Sequence, residues 1–159
     1  MPLPSSVSTR LQYQHKSLLE IIDGLTDEQI RRQPTPGKWS IFENIVHLAT
    51  YQHTFVARVK QLLEGNNPQF GAYSAEADPR FADACHLSTR EIMQDLLGLR
   101  KEMAAEIINF PDADLMKKGT HPVYGELSLL LWLNFFLLHE AHHLFTILKL
   151  SALLKNSGQ

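Results

Sequence analysis

The sequence has little of what marks the more specialised protein classes. One cysteine, Cys85, is present, so no intramolecular disulfide can form, and a reducing, cytoplasmic setting is expected. Glycine and proline number eight each in 159 residues, which excludes collagen-like repeats and disordered low-complexity sequence. Neither charge dominates: 15 Lys and Arg face 17 Asp and Glu, a formal net charge of −2. Such a balance offers no electrostatic footprint for nucleic acid or for an anionic membrane. Residues 1–10 lack the charged start and apolar run of a secretory signal. The stretch 127–138 is apolar and uncharged, yet it falls short of the roughly 20 residues that span a bilayer. Motifs of nucleophilic serine enzymes, Walker-type loops and glycine-rich dinucleotide turns are missing too.

What is there is a globular composition, 44% hydrophobic and 20% charged, read as one domain over residues 1–159. Helical periodicity dominates. Val7, Leu11, Leu18 and Ile22 recur at helical spacing across Ser5–Asp23. Thr26–Gln29 has the form of a capping box and opens a short helix. Pro34 and Pro36 make residues 33–38 a loop. Ser40-Ile41-Phe42-Glu43 is a second capping box, opening a helix that runs to about Glu64 and ends at Gly65-Asn66-Asn67-Pro68. This helix has an apolar stripe (Ile41, Ile45, Leu48, Phe55, Val59, Leu62) beside a polar one (Asn44, His47, Tyr51, Thr54).

A third helix starts at the Ser88–Glu91 box and ends near Phe110-Pro111, and a fourth runs from near Glu126 to about Leu154. The connections 65–87 and 111–125 are long, the first with a short helix near Arg80–Cys85. No segment has a strand pattern, and the last few residues are expected to fray. These features predict an all-α four-helix bundle with long inter-helix connections. The fourth helix is apolar on nearly every side, which predicts a homodimer.

His139 and His143 stand four residues apart on that helix, so both imidazoles leave one face and can reach one metal ion. They share the face with Trp132, Phe135, Phe136 and Ile147. Two readings stay open on spacing alone: a pair of metal ligands, or two core histidines held by hydrogen bonds. The string His139-Glu140-Ala141-His142-His143 fits the H-E-x-x-H of zinc peptidases. However, Thr146 and Lys149 stand where the longer peptidase motif needs Gly and His, and residues 144–159 contain no Asp, Glu or His. A third ligand therefore has to come from upstream, among His15, His47, His53, His86 and His121. His47 is the best placed, close to the apolar stripe of its helix. His53 lies well around the helix, and His86 and His121 fall in predicted loops. His142 and Glu140 flank the pair as possible pocket groups, and Asn44 and Tyr51 as possible walls.

The segments Gly37-Lys38-Trp39-Ser40-Ile41-Phe42-Glu43-Asn44-Ile45-Val46-His47-Leu48, His121-Pro122-Val123-Tyr124-Gly125-Glu126-Leu127 and His139-Glu140-Ala141-His142-His143 together resemble the DinB-like superfamily. That resemblance covers most of the chain and implies a four-helix bundle, often dimeric, with a three-histidine site for one divalent metal ion, commonly zinc or nickel. It maps the ligands to His47, His139 and His143. It also implies thiol-dependent S-transferase activity with a low-molecular-weight thiol such as bacillithiol or mycothiol as cosubstrate. Leu144-Phe145-Thr146 depart from the Arg-Gly-Gln that follows the last histidine in many members.

A three-histidine set leaves a position for water or substrate. Two chemistries follow for a small-molecule substrate: thiol transfer, or hydrolysis of small esters or amides. A non-catalytic, stress-related metal-binding role and a metal-free bundle are the rivals.

Overall fold

A computed structural model describes residues 3–156. The predicted fraying of the last residues lies outside that range. Four long helical units carry the fold, and capping chemistry sets most of their starts. The first unit is broken where one helix was expected: α1 (Ser5–Tyr13) passes through a 3-10 turn (Gln14–Lys16) into α2 (Ser17–Ile22). Gln14, inside the turn, donates through Nε2 to Leu137 O and Glu140 Oε2, each at 2.8 Å. Bonds to a distant helix accompany the local tightening, and periodicity does not report them.

Short α3 (Asp27–Arg31) carries the predicted Thr26–Gln29 capping box. In α4 (Ile41–Leu63), Ser40 Oγ accepts from Glu43 N at 3.1 Å and Glu43 Oε2 accepts from Ser40 N at 2.7 Å. The helix stops where Gly65 takes φ +77°, a conformation only glycine adopts freely. After α5 (Pro79–Ala84), the Ser88–Glu91 box opens α6 (Thr89–Ile107).

The region 111–125 departs from expectation. It holds α7 (Asp112–Leu115) and an antiparallel hairpin of β1 (Lys118–His121) and β2 (Gly125–Ser128), with His121 paired to Gly125 and Lys118 to Ser128. These four-residue strands show no apolar alternation, so no period of two could reveal them. Tertiary contacts hold the hairpin: Phe70 N donates to Thr120 O at 3.0 Å and Trp132 Nε1 to Gly119 O at 3.3 Å. The last helix, α8 (Leu129–Asn156), therefore begins after β2 and not at Glu126.

The core divides in two. One apolar cluster joins Phe55 and Leu62 of α4 to Met103, Trp132 and Phe136. The other joins Ile41 and Ile45 to Leu96 and Ile147. Between them, halfway along α4, α6 and α8, lies a layer of polar side chains, and the histidines belong to it. No helix among the described residues is long and apolar enough to cross a membrane.

Candidate metal centre

Two helices bring three histidines together. One ring nitrogen from each of His47, His139 and His143 lies within 4.8 Å of the others. His47 Nε2 and His139 Nε2 are 3.0 Å apart. The ring centroids are 4.4–5.0 Å apart. The i, i+4 spacing on α8 aligns His139 and His143, and His47 faces them from α4, two turns into the helix that Ser40 caps.

Burial first, and then the neighbouring histidine (His143 for His47, His47 for His139), lower these two imidazoles to about 4; burial and His139 lower His143 to about 3. All three are neutral at pH 7, the form that ligates a metal. His143 Nδ1 donates to Asn44 Oδ1 at 2.9 Å. This leaves Nε2 of His143 with its lone pair toward the centre. Nδ1 of His47 and of His139 are buried without a partner in the described residues. A hydrogen bond between these two rings satisfies a single nitrogen on each. The donor set, three nitrogens and no carboxylate, fits one divalent metal ion.

The rings around the centre come from several elements. Trp39, half-buried before α4, lies 5.1 Å from His47 and 6.2 Å from His143. Tyr51 lies 4.6 Å from His139, and burial raises its hydroxyl pKa. His121, from β1, stacks on Tyr124 and lines a cavity of about 220 Å³ together with His47, Tyr51 and His139. His142 is exposed and borders a second cavity of about 590 Å³ beside His143 and Trp39.

Glu140 departs from the expected pocket role. It is 1% exposed and its carboxylate meets Gln14 and Arg100, not the histidines. It pairs with Arg100, itself 1% exposed, whose Nε donates to Gln52 Oε1 at 2.7 Å. A buried acid on an apolar helix needs such a partner, so Glu140 serves a different side of α8 from its neighbour His139. His15, which the sequence placed among polar neighbours, is buried beside Arg100. His53 is half-buried and pairs with Asp95 at 2.9 Å, and His86 is exposed beyond α5. Burial, then Glu43, push the Cys85 thiol up, which suits packing better than nucleophilic work.

Sequence reasoning missed two side chains. Tyr73, from the 65–87 connection, lies 5.7 Å from His47 and 4.9 Å from Tyr51, and its hydroxyl donates to Asp78 Oδ2 at 3.1 Å. Nothing local to Tyr73 announces this. Arg58 lines the 220 Å³ cavity. It continues the Asn44, His47, Tyr51, Thr54 stripe at helical spacing, so that stripe could have pointed to it.

The fold and site define a four-helix bundle with a buried histidine cluster between two apolar layers. The chain belongs to the DinB superfamily, whose family profile matches residues 10–147. It is 28% identical to Bacillus subtilis YuaE over 138 residues, covering 77% of this chain and 83% of that one. It is 27% identical over 139 residues to an Oceanobacillus iheyensis protein named as a candidate metal-dependent hydrolase, covering 87% of this chain and 79% of that one. Among solved structures it superposes on Bacillus subtilis YfiT with a TM-score of 0.80 at 21% identity, over 92% of this chain and 85% of that one. YfiT is described as a probable metal-dependent hydrolase with an unusual four-helix bundle topology.

Proposed function

We propose that this chain is a metal-dependent enzyme acting on a small molecule, with one divalent ion, zinc or nickel, held by His47, His139 and His143. The observation that carries this reading is the convergence of three neutral imidazoles beside a cavity. When bound, the ion supplies Lewis acidity, which makes a nucleophile of a water or a thiol at neutral pH. The chain's own residues position the reaction. Asn44 orients His143, while Tyr51 and Trp39 exclude water from the rings they cover. Tyr73 is a neutral phenol, its pKa pushed up to about 12 mainly by burial.

Hydrolysis of a small ester or amide is the leading reaction, and the names of the Oceanobacillus protein and of YfiT support it. S-transfer to a low-molecular-weight thiol is the second reading. The larger cavity beside His143, with Lys38 and Lys149 among its residues, gives a cosubstrate room of its own.

Elemental analysis of the purified protein tests the centre. About one ion per chain is expected, lost on alanine substitution of His47, His139 or His143 and kept in His53→Ala. Full metal content in His47→Ala refutes the assignment. Ester and amide turnover that chelation abolishes without any thiol supports hydrolysis. Turnover only when a thiol is supplied supports transfer, and none with either supports a non-catalytic metal-binding role.

A further inference from the structure

We propose that Arg58 is an anion-recognition residue and that the molecule taken into the 220 Å³ cavity carries a carboxylate or similar oxyanion beside its reacting group. The reacting part of this statement rests on the metal reading above; the binding part does not.

Two arginines are buried among the described residues. Arg100 has its carboxylate in Glu140. Arg58, 8% exposed, has none: no acid among the described residues lies within 4 Å of it. Its partners are neutral. Nη2 donates to Gly71 O at 2.8 Å, and the guanidinium lies 5.2 Å from the Phe70 ring and 5.7 Å from that of Trp132. Burying a cation without a counter-charge is costly. The guanidinium has five donors in a planar fork that matches an oxyanion, and a ligand can bring the charge that the chain omits.

Placement says where that ligand lies. Arg58 follows His47 by eleven residues, about three helical turns, on one face of α4, and its side chain leans back toward the N-terminus. Both residues line the same cavity, and none of the side chains lining it is acidic. Tyr51 stands between them, its ring 4.6 Å from His139 and its hydroxyl within the field of the Arg58 guanidinium. The cavity, about 220 Å³, is smaller than sites for drug-sized molecules. Its walls include Tyr51, Tyr73 and Phe135. The occupant is therefore compact, apolar or flat in the middle and negative at the Arg58 end.

Benzoate and its neutral isostere benzamide serve as probes. Their binding is measured by titration calorimetry on the protein as purified and again after chelation. Benzoate is expected to bind at least tenfold tighter than benzamide in both forms. Arg58→Gln should bring benzoate down to the benzamide level at unchanged metal content. In the wild-type protein, the Arg58 Nε–H resonance should shift with benzoate and not with benzamide, a readout that holds even if the variant fails to fold. No benzoate binding, equal affinity for the two probes, or a folded Arg58→Gln variant that still prefers benzoate overturns the proposal. Metal content is read separately. A metal-free protein with Arg58-dependent benzoate binding refutes the metal reading alone, and a metal-bearing one that ignores benzoate refutes this proposal alone.

Discussion

Asn44 fixes the tautomer of His143. Its Nδ2 donates to Ser40 O at 2.8 Å, which turns Oδ1 toward His143 Nδ1 at 2.9 Å. An amide oxygen only accepts, so the proton sits on Nδ1 and Nε2 faces the centre. The helix cap at Ser40 thus reaches the site through one buried side chain. Asn44→Leu should lower metal affinity about 10- to 100-fold while leaving the circular dichroism spectrum unchanged. Chelator competition measures it, and an unaltered affinity would show that Asn44 does not orient the ring.

Glu140 sits in an H-E-x-x-H string yet belongs to the Arg100 pair. Removing one partner of a buried ion pair strands the other charge. Glu140→Leu should therefore destabilise the protein by about 3–5 kcal/mol, read from its urea midpoint, while the folded fraction keeps its metal. A peptidase-type general base would show the reverse: stability intact and hydrolysis lost.

The helices were legible because their signals are local. Ser40 with Glu43 and Ser88 with Glu91 announce starts within four residues, and His139 and His143 declare a shared face by their spacing alone. His47 needed a resemblance as well as its place beside an apolar stripe, since an imidazole on one helix says nothing of its neighbours. The hairpin was hidden because β1 and β2 are held from outside. A Cβ on Gly119 would lie 2.6 Å from Leu62 Cδ2 and 3.0 Å from Phe70 Cε2, a close approach that no strand period encodes. Arg100 and Glu140 lie 40 residues apart, and each alone reads as a solvated charge.

The outer face of α8 carries Leu131, Leu138 and Phe145 at seven-residue steps, all exposed, with Leu148 beside them. A heptad seam of this kind packs against another helix, and a second copy offers the same seam. The purified protein should run as a dimer in sedimentation experiments, and Phe145→Glu should shift it to monomer. Wild-type protein that stays monomeric at high concentration would exclude this face as the contact.

Acid should weaken the fold in a window that His15 helps to set. Burial, with Arg100 and then Lys16, lowers His15 from an ordinary 6.5 to about 4. Between those values the unfolded chain takes up a proton that the folded protein refuses, so the contribution of His15 to stability falls as pH drops from 6.5 to about 4 and levels off beyond each end. The metal-site histidines shift in the same direction, so the comparison is made on chelated protein, where they contribute equally to wild type and variant. Urea unfolding at intervals across the window should give a shallower slope for His15→Gln by one proton, about 1.4 kcal/mol per pH unit. Identical slopes would mean that His15 takes up its proton as readily in the folded bundle as in the unfolded chain, and that neither burial nor Arg100 holds it neutral.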